Sequence, residues 1–114
     1  MTTELPSEAR CVVIGGGIIG CSVAYHLAHM GWKDVVLLER DRLTSGTTWH
    51  AAGLMVTFGS TSGTSTEMRK YSRDLYAPLE AETGISTGFK PVGSIEIDTD
   101  TDRPEEYRRV AAFK

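Results

Sequence analysis

Three glycines at fixed spacing constrain this chain more than any other feature. Cys11-Val12-Val13-Ile14 is a short apolar run, and Gly15-Gly16-Gly17-Ile18-Ile19-Gly20 follows it in the pattern G-x-G-x-x-G. Each fixed glycine has its own task. Gly15 permits a tight turn out of a strand, and Gly17 lets the backbone approach a pyrophosphate closely. Gly20 lets the following helix pack hard against the sheet. The start of that helix offers free N–H groups and partial positive charge to phosphates.

The flanking residues agree with this reading. From Gly20 onward, Val23, Ala24 and Leu27 fall at helical spacing on one face. Gly31 follows Met30 where a helix-terminating glycine is expected. Val35-Val36-Leu37-Leu38 is an unbroken apolar run, which suits a parallel strand buried on both faces. It ends in Glu39, nineteen positions after Gly20, where a ribose-binding fingerprint wants an acid. The alternative is a glycine-rich structural turn with a solvated glutamate. With strand, glycines, helix, strand and acid all in register, dinucleotide binding is the stronger reading.

At 114 residues the chain suffices for one small domain but is short for a complete nucleotide-binding enzyme. A net charge of −3 provides no basic patch, so nucleic acid is not an expected partner. No apolar run approaches the ~20 residues of a membrane span, so no membrane partner is expected. Met1 to Arg10 has the pattern of neither a signal nor a transit peptide, so a cytoplasmic location is expected. A leader already removed would make that the mitochondrial matrix. Cys11 and Cys21 do not form C-x-x-C and have no zinc-like spacing to a histidine, so they read as small buried side chains. His26 and His29 on the first helix have no acid or cysteine nearby in sequence and read as structural, and no metal site is expected.

After Glu39 the chain changes character. Arg40 to Gly53 surrounds Trp49 and His50 with small hydroxyl residues and two glycines. Hydroxyls and backbone N–H groups can bond phosphate or ring heteroatoms, and Ala51, Ala52 and Gly53 would let a flat ring lie against the backbone. By residue type alone this is either a loop over a cofactor or an ordinary polar connector. Phe58 to Thr66 reads as a flexible loop. Thr66 is placed to cap a helix from Glu67 to about Glu82, with Met68, Tyr71, Ser72, Leu75 and Leu79 as its inner stripe. Pro78 should kink or shorten that helix, and Gly84 should end it. Gly93 to Asp98 alternates as a half-exposed strand does. Asp102 and Glu105 form a capping box for a last helix, with Pro104 in its first turn and Tyr107, Val110 and Ala111 on one face. A nucleotide-binding sheet needs more strands than these, so the chain is expected to be the N-terminal piece of something larger.

At Leu43-Thr44-Ser45-Gly46-Thr47-Thr48-Trp49-His50-Ala51-Ala52-Gly53-Leu54 the chain resembles the sarcosine and dimethylglycine dehydrogenases, flavoproteins of the D-amino-acid-oxidase-like superfamily. A weaker match continues through Leu79 to Gly84 and Gly93 to Ile95. The resemblance implies an α/β fold, the N-terminal βαβ part of a Rossmann-like FAD-binding domain, incomplete in this chain. Residues 11–57 would be the nucleotide-binding unit and flavin loop, and 58–114 the start of the helical, substrate-side region. It implies FAD bonded covalently through the 8α-methyl carbon to the residue matching His50. Gly15, Gly17 and Gly20 would form the phosphate turn with Ile18 and Ile19 following it, and Glu39 and Arg40 would contact the adenosine end. Ser45 would bind the cofactor beside Gly46, Thr47, Thr48, Trp49, His50, Ala51, Ala52, Gly53 and Leu54, which would line the flavin.

The implied reaction is oxidative demethylation of a small N-methyl amino acid of dimethylglycine or sarcosine type, with the electron acceptor left open. The family's catalytic acid or base would lie beyond Lys114, and this segment alone is expected to be inactive. Other readings are an NAD-dependent oxidoreductase, against which the Ser45–Leu54 run argues, a noncatalytic regulatory protein of the same architecture, and a truncated product without activity.

Overall fold

The computed structural model describes residues 4–59, 61–99 and 103–112. The chain divides into two compact units, Met1–Gly53 and Leu54–Lys114.

In the first unit, strand β1 (Cys11–Ile14), helix α1 (Ile18–His29) and strand β2 (Val35–Leu38) follow in order. The strands pair in parallel, with Cys11 opposite Val35 and Ile14 opposite Leu38. Bonds from the Arg10 and Gly15 N–H groups to the Asp34 and Leu38 carbonyls, 3.0 and 2.8 Å, carry the ladder past both ends. Parallel pairing requires a crossover, and α1 supplies it. The helix stops where the glycine pattern predicts. Met30 is its last half-helical residue, and Gly31 takes φ +83°. The Gly31 N–H then bonds the Ala28 carbonyl and the Trp32 N–H bonds the Leu27 carbonyl, both at 2.9 Å. This pair of bonds closes the open carbonyls of the last turn.

The expected burial is only half realised. Ala24 and Leu27 are half-buried, while Val23 is exposed. Val35 to Leu38 are half-buried rather than enclosed on both faces, and Val12 and Ile14 alternate outward. Among the described residues no apolar side chain is fully buried. A single helix covers one face of a two-stranded sheet and leaves the other open. Cys11 and Cys21 are half-buried free thiols, and the Cys21 thiol reaches the Gly16 carbonyl at 3.4 Å. His26 lies against its own helix, Nδ1 2.7 Å from the Ser22 carbonyl.

The second unit contains α2 (Gly63–Thr83) and α3 (Arg103–Ala112). The cap of α2 is Ser62, not Thr66: the Ser62 hydroxyl accepts from the Ser65 N–H at 3.3 Å. Thr66 lies inside the helix and is buried, its hydroxyl donating to the Ser62 carbonyl at 3.1 Å. Either hydroxyl could cap a helix, and the earlier one does so because Thr66 finds a local carbonyl instead. The inner face keeps Ser72, Leu75 and Leu79, but Met68 and Tyr71 are exposed. The Arg69 guanidinium donates to the Phe58 carbonyl at 2.6 Å, which turns the Thr66–Arg69 side inward.

Pro78 does not end the helix, which runs on to Thr83. Proline removes one backbone bond. The terminus is closed instead by Gly84 at φ +73°, its N–H bonded to the Glu80 carbonyl at 2.9 Å. The strand expected at Gly93–Asp98 does not form. Ile95 and Ile97 share one side of an extended segment, and both are strongly exposed. Alternation favours a strand only where a neighbouring strand accepts its hydrogen bonds, and among the described residues of this unit there is none. The Asp102 cap lies outside the described residues. In α3, Glu105 pairs with Arg108 and Arg109 at 3.6 and 3.2 Å on the solvent side. Tyr107, Val110 and Ala111 line a hollow of about 290 Å³ with Phe58, Ser94 and Glu96.

Candidate dinucleotide site

The turn between β1 and α1 is shaped by its glycines. Gly15 has φ +105°, a backbone conformation that side-chain-bearing residues rarely adopt, and the space where its Cβ would point is open. Gly20 is a steric requirement instead: a Cβ there would collide with the Gly15 carbonyl oxygen and lie 3.0 Å from its carbon. The third glycine thus seats the helix on the turn itself. Gly16 is the buried member, and a Cβ on it would meet Leu43 Cδ2 at 2.6 Å and Glu39 Cβ at 3.0 Å. The G-x-G-x-x-G pattern leaves that position unspecified, so pattern matching missed it.

Glu39 is drawn onto this turn. Its Oε2 accepts the Gly16 N–H at 2.7 Å, and its Oε1 accepts the Asp41 N–H at 3.0 Å. The Gly16 bond, followed by the Asp41 bond, holds the carboxyl below its ordinary value of 4.5, against a smaller opposing effect of desolvation. An ionised carboxylate held in this way is an acceptor of the kind a hydroxyl ligand requires.

The segment after β2 folds back over the turn. Thr44, at φ +64°, donates its N–H to the Gly16 carbonyl at 2.8 Å. Residues Thr47–His50 form one 3₁₀ turn. Within it, the Thr48 hydroxyl accepts the Ile18 N–H at 2.9 Å, across 30 residues of sequence. The Trp49 indole N–H closes the segment on the Ser45 carbonyl at 3.1 Å, and the rings of Trp49 and His50 lie 3.8 Å apart at 40°.

The structure therefore brings Gly15, Gly17, Ile18, Gly20, Glu39 and Thr48 together, with Gly16, Leu43 and Thr44 as members that the sequence did not reveal. Ile19 is exposed on the first turn of α1, and Arg40 is exposed beside Glu39. Ser45 is half-buried, Gly46 precedes the 3₁₀ turn, and Thr47, Trp49 and His50 face solvent. Ala51 closes the 3₁₀ turn through its N–H to the Thr48 carbonyl, while Ala52 and Gly53 are exposed. Leu54 opens the second unit and is exposed.

These residues fit a dinucleotide. Gly17, the cap of α1, has no side chain, and the first turn carries no acid. Among the described residues the Gly17 and Ile19 N–H groups take no protein partner, so both remain as donors for phosphate oxygens. No helix of the described residues is long and apolar enough to cross a membrane.

A parallel βαβ unit, a glycine turn opening a helix, and an acid at the end of the second strand define a Rossmann-type dinucleotide-binding unit. Residues 10–114 match the family described as FAD dependent oxidoreductase, and the chain belongs to it. It is 48% identical over 107 residues to human mitochondrial dimethylglycine dehydrogenase, covering 93% of this chain and 12% of that protein. Human mitochondrial sarcosine dehydrogenase is 47% identical over 110 residues, covering 96% of this chain and 12% of that protein. The mouse mitochondrial pyruvate dehydrogenase phosphatase regulatory subunit is 47% identical over 106 residues, covering 93% of this chain and 12% of that protein. The chain thus spans about 12% of the length of the curated relatives that it matches.

Proposed function

We propose that the protein carrying this chain oxidises an N-methyl amino acid of dimethylglycine or sarcosine type, with FAD tethered at His50. Supporting this are membership in an FAD-dependent family and the identities to two dehydrogenases whose names give those substrates. The single structural observation that carries it is the pinning of the Thr44–His50 segment onto the phosphate turn through the Ile18–Thr48 and Thr44–Gly16 bonds. One continuous piece of chain then runs from the pyrophosphate donors to an exposed imidazole.

When bound, FAD accepts a hydride equivalent from the carbon next to the substrate nitrogen. The oxidised carbon would then gain oxygen from water and its bond to nitrogen would break, releasing formaldehyde and the demethylated amine. This chain's residues bind and orient. Gly17 and Ile19 present N–H groups to phosphate, and Glu39 accepts from the ribose. Arg40 would contact the adenosine end, and Ser45–Leu54 would bind on the flavin side. His50 would supply the imidazole nitrogen that tethers the flavin. The reading needs neither nucleic acid nor membrane as partner. The mitochondrial names of the relatives support the matrix over the cytoplasm. With no fully buried apolar side chain among the described residues, the segment alone would not sustain turnover.

The test is anaerobic titration of the full-length protein with sarcosine and with dimethylglycine, following the visible absorbance of the oxidised flavin. Bleaching by either amine supports the reading, and an unchanged spectrum with both contradicts it. A second reading, a noncatalytic regulatory flavoprotein, is favoured by the 47% identity to the regulatory subunit. It predicts bound FAD that no N-methyl amine reduces.

A further inference from the structure

We propose that Thr48 is a positioning residue that sets the orientation of the His50 segment by capping helix α1, an inference that rests on the His50 reading above. Helix α1 begins at Ile18 with no side-chain cap of its own, because Gly17 stands at the cap position. A helix start without a cap leaves its first N–H groups open. Thr48 supplies the missing acceptor from 30 residues away, its hydroxyl 2.9 Å from the Ile18 nitrogen. It approaches so closely that a Cβ on Gly17 would stand 3.1 Å from the same oxygen. The absence of a side chain at Gly17 therefore serves two ends: it opens the turn to phosphate and admits the threonine hydroxyl.

The consequence falls on His50. Thr48 and His50 belong to the same 3₁₀ turn, two residues apart, so fixing one fixes the backbone of the other within about 4 Å along the axis. The other end of the segment is fixed by the Thr44 N–H on the Gly16 carbonyl at 2.8 Å. The segment's further bonds among the described residues are internal: the Ser45 N–H to the Arg42 carbonyl and the Trp49 indole N–H to the Ser45 carbonyl, both at 3.1 Å, and the Ala51 N–H to the Thr48 carbonyl at 3.3 Å. Losing the Thr48 hydroxyl would free the His50 end while leaving the Thr44 end attached. The imidazole would then search for the 8α carbon rather than being held near it. That is a loss of orientation, which slows bond formation without removing the nucleophile.

The experiment uses the full-length protein as apoprotein, with FAD added, in four forms: parent, Thr48→Val, Thr48→Ser and Thr48→Ala. Two quantities are read: the rate at which flavin becomes fluorescent in the denatured protein band, and hydrogen exchange at the Ile18 amide without FAD. Thr48→Val should slow covalent attachment about three- to tenfold, the effect of one lost hydrogen bond, and should speed exchange at Ile18. Thr48→Ser should restore both, because it returns the oxygen acceptor and not the shape. Equal attachment rates in parent and Thr48→Val, or equal Ile18 exchange, would overturn the proposal. If the parent shows no covalent flavin, the His50 reading has failed. Ile18 exchange then decides the capping role alone. Should Thr48→Val not fold, Thr48→Ala is read on the same two measures.

Discussion

Replacing Gly20 by alanine tests whether the third glycine of the turn is required by sterics. In the structure a Cβ at this position runs into the Gly15 carbonyl oxygen, with the Gly15 carbon at 3.0 Å and Val13 Cγ1 at 3.4 Å. The obstructing atoms are mainly backbone, and the turn that carries them is tied to β2 through the Gly15 N–H and the Leu38 carbonyl at 2.8 Å. They cannot swing aside as a side chain would, so α1 must move off the turn. Overpacking of this kind costs about 1–3 kcal/mol. Alanine returns up to about 1 kcal/mol of helix propensity, leaving a net loss of up to about 2 kcal/mol. FAD affinity should fall further, because moving the helix displaces the Gly17 and Ile19 N–H groups that are open to phosphate.

Urea unfolding and FAD titration of the full-length protein would read the two effects. Gly63→Ala is the control: it is also helical, its Cβ would meet nothing within 4 Å, and it should be neutral or slightly stabilising. Unchanged stability and FAD affinity in Gly20→Ala would refute the steric argument.

Further outcomes follow from the same geometry. The Glu39 carboxyl is held below 4.5 in the folded chain, so the stability it contributes is complete above that value and is lost as pH falls through the lower folded value. Glu39→Gln should flatten the acid limb of a stability-against-pH curve, and an unchanged limb would remove Glu39 from the turn. Ser62→Ala should destabilise the second unit by about 1 kcal/mol in urea unfolding by deleting the α2 cap, whereas Thr66 in the capping role would make the change silent.

The parts of this fold legible in the sequence were those written in short-range patterns. The βαβ unit announced itself through glycine spacing, a helical apolar stripe and an unbroken strand, and the Gly31 stop and Gly84 stop were read from residue type alone. Glu39 was found because its distance from Gly20 is fixed by the length of the helix between them. What the sequence hid depends on partners distant in the chain. Nothing in the spacing of Thr48 points to Ile18, and the buried role of Gly16 appears only once Leu43 and Glu39 close over it. The alternation at Gly93–Asp98 reads as a strand, but pairing is not a local property, and there the segment stays extended and exposed. The Ser62 and Thr66 hydroxyls carry equal local credentials, and their order was settled by which carbonyl lay within reach.

The most direct test of the account is flavin fluorescence in a denaturing gel, run on the full-length protein and on its His50→Ala variant. The account predicts a fluorescent parent band and a dark variant band, with the variant still binding FAD noncovalently before denaturation. A dark parent band with FAD released on denaturation, or a variant band as bright as the parent's, would contradict the tether at His50.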